Sequence, residues 1–473
     1  MTALSKSLKP RHLEMISIGG IIGAGLFVGS SASIAAVGPA IVLSYLITGT
    51  LVLVVMRMLG EMSLSMPNVT SFTEFAREGL GPWAGFIAGW LYWYFWIIVV
   101  PAEAIAGANI LHVWIPQIPT GLLGCVLMGL MTGVNLMSAR SYGEFEFWFA
   151  SIKVAAIVVF IALAGAFVLG FSDPHGASLR NLVAHGGFMP RGPVSVLAGA
   201  VTVFFSLTGA EIVAVAAAES ADPSRAISRL TSSIILRILT FYVGSVFLIM
   251  AVVPWTRIRI GQSPFTLALM HMHFWWAGIA MDAIILTAVL SCLNSAFYVC
   301  SRVLFVLAER GDAPQGLIKL NARRVPVRSV LLCSGAGVVG ILAAIKAPQS
   351  VFAFLVDASG ALMVFVYGLI ALAHLRVRRR RERAGEPAPA LTMWLFPWSS
   401  YLAIAAMLAI LIAMQFTPGL GADLHVSLIS LAVVSGAYLG LRAWRRRHAD
   451  PAAQGQDRAP SPRLGPAGER GDA

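Results

Sequence analysis

Charged residues are scarce in this sequence, and their scarcity excludes an ordinary soluble protein. Only 12% of its 473 residues are Asp, Glu, Lys or Arg, whereas about a quarter is usual for a soluble globular domain. Hydrophobic residues make up 58% of the chain, and the mean hydropathy is +0.80. This balance predicts a polytopic membrane protein.

Residues that bind metals or cofactors are also few. The sequence has four cysteines, which all lie in apolar stretches and lack metal-ligand spacing: Cys125, Cys292, Cys300 and Cys333. Such cysteines are expected to be buried, unreactive thiols. The histidines His12, His112 and His185 form no cluster, and neither a Walker motif nor a nucleophile–base spacing occurs. We therefore expect no metal, no cofactor, no enzymatic activity and no ATP-driven transport.

The basic residues are concentrated at the ends of apolar segments. The net charge is +12, with dense clusters in RVRRRRER at 376–383 and RAWRRRH at 442–448. Juxtamembrane clusters of this kind indicate the cytoplasmic side of a membrane and contact with anionic lipid. The expected partner of these residues is therefore the lipid bilayer and not a nucleic acid.

Long apolar segments recur through most of the chain. Twelve are long enough to cross about 30 Å of hydrocarbon: residues 14–36, 40–66, 83–112, 119–137, 148–171, 194–218, 231–253, 279–307, 329–346, 351–375, 394–416 and 424–443. With a cytoplasmic N-terminus, most Lys and Arg residues of the loops lie on the inner side, including Arg225, Arg229, Arg310, Lys319 and the run at 376–383. The positive-inside rule then places both termini in the cytoplasm.

The first span contains an unusual number of glycines, at positions 19, 20, 23, 25 and 29 of SIGGIIGAGLFVGSS. Glycine lowers the cost of leaving helical geometry, and unwound backbone is tolerated at membrane depth only where it is buried or lines a cavity. Close helix packing through pairs of small residues is the alternative interpretation. The spacing alone does not decide between these two.

The sixth span carries a second cluster of small and polar residues near its centre, in FFSLTGAE, which includes Ser206, Thr208, Gly209 and Glu211. Two interrupted helices five spans apart are typical of an inverted repeat, in which half-helix N-termini face an anionic group and free carbonyls bind a cation. A zwitterion matches such a pair of half-sites.

We therefore predict an all-α polytopic membrane protein with twelve transmembrane helices. Its fold class is a five-plus-five inverted repeat with broken helices one and six, plus two C-terminal helices. The predicted parts are a cytoplasmic N-terminus (1–13), a first repeat (14–171), a second repeat (194–375), a basic linker (376–393), two further helices (394–443) and a disordered cytoplasmic tail (444–473).

Several motifs resemble one transporter family. GxIGAGLFVGSS in span one, FSLTGAEI in span six and SCLNSAFYVCSR at 291–302 are similar to the amino acid permeases of the amino acid–polyamine–organocation superfamily. The resemblance covers residues 8 to 445. It is strongest to bacterial 4-aminobutyrate (GABA) permeases, through MRMLGEMS (56–63), GPWAGFIAGWLYW (81–93) and GEFEFW (143–148).

The resemblance implies a proton-coupled symporter that imports a small amino acid across the bacterial inner membrane by alternating access. It also implies a substrate site, with carboxylate-binding amides at Gly23, Ala24 and Gly25 and ammonium-binding carbonyls at Ile21, Phe205 and Thr208, beside Gly209. Relatives can have Ser in place of Gly25 and Phe-Met in place of Leu207-Thr208. The substrate is therefore either GABA or a standard α-amino acid of the aromatic, proline or alanine type.

A buried lysine is the first candidate for proton coupling. By resemblance, the Lys153 amine takes the place that a sodium ion occupies in sodium-coupled relatives, between spans one and eight. Its possible partners in span eight are Ser291, Asn294 and Ser295. The alternatives are that Lys153 snorkels to the interface and that the span-eight groups form helix-to-helix hydrogen bonds.

Two acids lie at membrane depth, where an unpaired carboxylate is costly. Glu211 is expected to act in gating or proton transfer, or to form a static polar bridge. Glu103 is expected to attract the substrate ammonium or accept a proton, or to be a hydrogen-bonded acid at the kink made by Pro101. A channel and a membrane-embedded amino acid sensor are further alternatives, but no continuous polar pore and no sizeable soluble domain supports them.

Overall fold

The computed structural model describes residues 22–66, 69, 71–137, 142–171, 179–211, 238–321 and 325–448, and within these ranges its regular structure is entirely helical. Ile21, the N-terminal segment, the second half of predicted span six and the tail after residue 448 lie outside the described residues. The α-helices are α1 (Ser30–Val37), α2 (Ile41–Ser65), α3 (Phe72–Leu80), α4 (Pro82–Trp114), α5 (Thr120–Met137), α6 (Tyr142–Val168), α7 (Gly192–Leu207), α8 (Ser245–Val252), α9 (Pro264–His271), α10 (Trp275–Glu309), α11 (Val327–Ala344), α12 (Pro348–Arg383), α13 (Trp398–Gln415) and α14 (Leu420–His448).

The helices identify a multi-pass membrane protein. Nine in the described ranges are long and apolar enough to cross a bilayer: α2, α4, α5, α6, α10, α11, α12, α13 and α14. Three shorter apolar helices, Gly25–Val37, Gly192–Leu207 and Ile238–Val252, coincide with predicted spans one, six and seven. Each of the three adjoins residues outside the described ranges, so the count of twelve spans stays a prediction.

Helices α4 and α12 form the centre of the bundle and are the most enclosed of the nine. The sequence of α4 is apolar and aromatic on every side, and a helix of this kind is stable only when it is surrounded. It packs against α3, α5, α10, α11, α12 and α14. By contrast, most of α14 remains open to the surrounding lipid.

Two short helices lie at equivalent places in the two halves of the chain. After α2, α3 packs against α4 and α12; after α8, α9 packs against α10 and α6. Helix α9 begins with Pro264 in its first turn, and the Ser263 hydroxyl accepts a hydrogen bond from the Thr266 amide. These features are typical of a helix N-terminus.

The ends of α12 and α14 extend beyond the predicted spans. Helix α12 continues through the first part of the predicted linker to Arg383, and α14 continues into the predicted tail to His448. Arginine is a strong helix former, and an arginine-rich turn can leave the membrane without losing its backbone hydrogen bonds. Hydropathy alone therefore places both helix ends too early.

An ion network joins three segments on the side of the molecule where α10 and α14 end. Asp312, in the turn after α10, accepts hydrogen bonds from Arg77 of α3 (2.5 Å) and Arg445 of α14 (3.2 Å). Glu74 pairs with both Arg77 and Arg310. Burial alone would lower the pKa of the Arg77 guanidinium, but the carboxylates of Asp312 and Glu74 outweigh burial and raise that pKa above its usual value. The network fixes α3 and α14 to the end of α10.

Helices α7 and α12 cross at very short range. A Cβ atom on Gly360 would overlap the Val201 carbonyl oxygen. One turn earlier in α12, Asp357 accepts a hydrogen bond of 2.6 Å from the Thr202 hydroxyl. The two backbones can therefore pack this closely only because position 360 has no side chain.

We expect Gly360→Ala to destabilise the protein by about 1–3 kcal/mol, because the added methyl group forces α7 and α12 apart. The matched control is Gly368→Ala, since Gly368 lies in the same helix with no atom within 4 Å of the added carbon. The thermal unfolding midpoint of the purified protein checks this. Equal midpoints for the two variants would contradict the assigned crossing.

Candidate functional site

The described part of span one begins with non-helical backbone. Ile22 has no regular structure and Gly23 lies in a bend; the wide helical turns Gly25–Gly29 follow and lead into α1. All of these residues are buried. Ile22 and Gly23 are thus non-helical and buried at the place where the interruption of span one is predicted. The residues before them lie outside the described ranges, so the interruption itself stays a prediction.

Span six is interrupted at the predicted place. Helix α7 ends at Leu207, Thr208 is extended (φ −69°, ψ 146°), and Gly209 has φ +111°. A positive φ of this size favours glycine strongly. The chain is helical again at Ala210 and Glu211. The break therefore falls on the Thr-Gly pair of the FSLTGAE motif.

The two interrupted spans contact each other directly. The Ser206 hydroxyl donates a hydrogen bond of 2.7 Å to the Gly25 carbonyl oxygen. A Cβ atom on Gly25 would lie 2.7 Å from the Ser206 Cα atom, which is too close for any side chain. Close packing therefore applies at Gly25, and the non-helical backbone at Gly23 is compatible with the predicted interruption.

Glu211 joins the span-six break to two other helices. Its carboxylate accepts hydrogen bonds from Tyr92 of α4 (3.0 Å), from Tyr367 of α12 (2.9 Å) and from the Gly209 amide (2.9 Å). The side chain is completely buried. These three donors compensate the cost of placing a carboxylate in the membrane.

The break changes the bonding of the last α7 carbonyls. The Phe204 oxygen accepts hydrogen bonds from the Thr208 amide and hydroxyl, and the Ser206 oxygen accepts one from Tyr242 (3.1 Å). The Gly209 amide would bond the Phe205 oxygen in a continuous helix, but it donates to Glu211 instead. The Phe205 carbonyl, a predicted ammonium ligand, thus loses its helical donor.

Glu103 of α4 lies against the span-one break. Its Oε1 atom would be 3.3 Å from a Cβ atom on Gly23, and its carboxylate accepts hydrogen bonds from the Ala24 amide and the Cys292 thiol. Its Oε2 atom is buried and has no hydrogen-bond partner among the residues that the structure describes. Glu103 thus takes the hydrogen bond of the Ala24 amide, one of the amides that the family resemblance assigns to the substrate carboxylate.

Lys153 of α6 points inward and is only 1% exposed. Its amine donates a hydrogen bond of 3.0 Å to the Ser291 hydroxyl of α10, and it attracts the Glu103 carboxylate electrostatically. Snorkelling to the interface, the alternative for this lysine, is therefore wrong. Ser295 lies one helical turn after Ser291, whereas Asn294 accepts a hydrogen bond of 2.8 Å from Asn135 of α5 and so links α10 to α5.

Several residues of the site were not predicted from the sequence. Tyr367 and Tyr242 lie in apolar helices without any local motif, and Cys292, although it lies in SCLNSAFYVCSR, was expected only to be an unreactive thiol. Their contacts arise only where separate helices pack together. The signal available in the sequence was a polar side chain within an apolar span. Such a signal does not show which residue that side chain contacts.

Comparison with known proteins gives a consistent result. The sequence model described as "amino acid permease" matches residues 12–452. The chain is 44% identical over 444 residues to a gamma-aminobutyric acid permease of Bacillus subtilis, covering 93% of this chain and 94% of the relative. It is also 44% identical over 419 residues to a gamma-aminobutyric acid permease of Escherichia coli, covering 88% and 89%.

Proteins with lower sequence identity also match this chain over nearly its full length. The aromatic amino acid transport protein AroP of Salmonella typhimurium is 37% identical over 440 residues, covering 92% of this chain and 95% of the relative. The crystal structure of a manganese transporter of Eremococcus coleocola has a TM-score of 0.57 at 13% identity, covering 94% and 96% of the two chains. At that identity the structural likeness shows the fold alone.

We expect Gly25→Ala to lower the thermal unfolding midpoint, because the added methyl group meets the Ser206 backbone, which cannot move aside as a side chain can. Gly29→Ala is the control, since its added carbon meets the Phe205 ring at 3.4 Å and the Ala24 carbonyl oxygen at 3.5 Å, which are ordinary contact distances. Both variants are measured as purified full-length protein. A Gly25→Ala variant as stable as Gly29→Ala would show that the two spans do not approach this closely.

Proposed function

Because this chain belongs to the amino acid permease family, we propose that it imports GABA or a related small amino acid across the bacterial inner membrane, in symport with protons. The observation that carries the proposal is the direct contact, through Ser206 and Gly25, between the break of span six and the buried span-one segment that follows the non-helical Ile22 and Gly23. Beside it lies the Glu103 carboxylate, one oxygen of which has no partner in the described part of the chain. Such interruptions are found at the substrate sites of secondary transporters. The GABA permeases among its relatives support GABA as the substrate.

The proposed site binds the two ends of a zwitterion separately. The amides of Gly23, Ala24 and Gly25 receive the carboxylate at the start of the span-one helix, where the helix dipole is positive. The ammonium binds carbonyl oxygens of the unwound segments, at Ile21, Phe205 and Thr208. The loss of the helical donor to the Phe205 oxygen, since the Gly209 amide donates to Glu211, supports this assignment.

Glu103 couples the carboxylate half-site to a proton. In the structure it accepts the hydrogen bond of the Ala24 amide, which the substrate carboxylate would need. Two carboxylates at one amide repel each other. The arriving substrate therefore displaces Glu103, which either takes up a proton or turns its charge toward the substrate ammonium.

Lys153 provides the second coupling group. Its amine lies against Ser291 of α10, and the side chain is buried. We propose that this amine gains and loses a proton during the cycle and thereby acts on the span-one break, in place of a sodium ion.

Glu211 serves as a gate in this mechanism. Its carboxylate connects the span-six break to Tyr92 and Tyr367, so spans three, six and ten can separate only when these bonds break. In the present conformation, the same hydrogen bonds hold the Glu211 side chain in place.

Alternating access requires two halves that exchange roles, and the packing of the short helices supports such halves. Helix α3 contacts α4 of its own predicted repeat and α12 of the other, and α9 contacts α10 of its own predicted repeat and α6 of the other. These are the pairs that an inverted repeat would interchange. The concentration of arginines at the ends of α12 and α14 supports cytoplasmic termini.

A standard α-amino acid is the second candidate substrate. It is favoured by the 37% identity to aromatic amino acid transport proteins over nearly the whole chain. GABA places its ammonium farther from its carboxylate than an α-amino acid does, so the two differ in the distance that the half-sites must span.

We expect Lys153→Met to abolish the accumulation of substrate driven by an imposed pH gradient, because the variant has no amine to protonate. Lys319→Met, which removes an exposed lysine, should accumulate substrate normally. Uptake into proteoliposomes without sodium, with and without a protonophore, checks both variants. Normal accumulation by Lys153→Met, or a strict need for sodium in the unmodified protein, would refute the coupling assignment.

We expect unlabelled GABA to suppress uptake of labelled GABA strongly in a transport-deficient bacterium that expresses this chain. Phenylalanine, proline and alanine in the same excess should compete weakly, because their ammonium groups lie too close to the carboxylate. Stronger competition by phenylalanine than by GABA would assign the protein to the second candidate substrate class.

A further inference from the structure

The arginine-rich end of α12 has two faces with different surroundings. The segment 376–383 is helical, so residues four or three apart share one face. Arg378 and Arg381 lie on one face, and Arg376, Arg380 and Arg383 lie on another. The charges of these two faces are balanced differently.

The first face is neutralised by carboxylates. Arg378 pairs with Glu61 of α2 and with Glu382, at 3.1 Å each. Arg381 pairs with Glu386 at 2.6 Å. These arginines hold the end of α12 to α2 and to the segment before α13, which leaves little positive charge for an external partner.

The second face keeps its charge. Arg376, Arg380 and Arg383 are exposed, and none forms an ion pair with any residue that the structure describes. Four residues before Arg376, Leu372 is also exposed on a helix whose other sides are packed. An exposed leucine therefore lies one helical turn before the three arginines, on the same face of α12.

The neighbouring end of α13 adds polar aromatic groups to this surface. Trp398 and Tyr401 are exposed and pack against each other with ring centroids 6.2 Å apart. The Arg379 guanidinium bonds the Tyr401 hydroxyl and lies 5.5 Å from its ring centroid. Exposed Trp and Tyr at a helix end are typical of the headgroup level of a bilayer.

We propose that this surface, formed by Arg376, Arg380 and Arg383 with Trp398 and Tyr401, binds the phosphodiester headgroup of an anionic phospholipid. Several guanidinium groups match the phosphate oxygens, and Leu372 lies where the acyl chains would run. The inference does not depend on which amino acid the protein carries. It assigns a function to the arginine cluster that transport itself does not use.

The experiment measures lipid retention by the full-length protein. Purified protein in detergent is titrated with cardiolipin, phosphatidylethanolamine or inorganic phosphate, and bound lipid is counted by native mass spectrometry. Cardiolipin should bind well above phosphatidylethanolamine. In the triple variant Arg376→Gln, Arg380→Gln, Arg383→Gln its apparent affinity should fall by about fivefold for each arginine removed.

The matched control removes three exposed arginines from loops away from both basic clusters, in Arg191→Gln, Arg257→Gln, Arg259→Gln, and should lose much less affinity. Equal losses of affinity in both triple variants would show that only the net charge matters and would overturn the proposed site. Binding of inorganic phosphate at the same concentration as cardiolipin would also overturn it. Tyr401→Phe keeps the ring and all arginines and should weaken cardiolipin binding modestly. If the triple variant is unstable, this weakening supports the site. Unchanged cardiolipin binding in both Tyr401→Phe and the α12 triple variant would also overturn it.

Discussion

The structure depends on one constraint, that a backbone polar group inside a membrane must have a partner within the protein. Helices meet this constraint automatically, and most of the chain is helical for that reason. At Thr208–Gly209 the helix is interrupted, and at Ile22 and Gly23 the described backbone is not helical, so the freed groups must be compensated locally. Each interruption is accordingly surrounded by buried polar side chains in an otherwise apolar bundle.

The two acids of the site compensate the two interruptions. Glu211 accepts the Gly209 amide at the span-six break, and Glu103 accepts the Ala24 amide at the span-one break. Both carboxylates thus occupy positions where a bound substrate carboxylate could compete. The difference is that Glu211 has all of its donors in place, from Tyr92 and Tyr367 as well, whereas one oxygen of Glu103 has none in the described ranges. Glu103 is therefore the acid better suited to change partner.

Glycine has two physical uses within the same few residues of span one. At Gly23 the backbone leaves helical geometry, while at Gly25 the absence of a side chain lets span one touch the Ser206 backbone. The crossing of α7 and α12 at Gly360 is of the second kind. Spans one and ten thus approach span six through glycines.

The sequence by itself determined the membrane class, the approximate limits of the described spans, the place of the span-six break and the burial of Glu103 and Glu211. These follow from composition, hydropathy and local backbone preference, which act along the chain. It did not determine where α12 and α14 end, because arginines extend a helix beyond the apolar segment.

Only the tertiary structure decided which groups meet: Glu211 with Tyr367, Lys153 with Ser291, and Asn294 with Asn135 and not with the lysine. A polar atom in an apolar helix requires a hydrogen-bond partner, but in a packed bundle many possible partners are within its reach. The choice among them is made by the rotation and crossing of whole helices, which no local pattern of residues encodes.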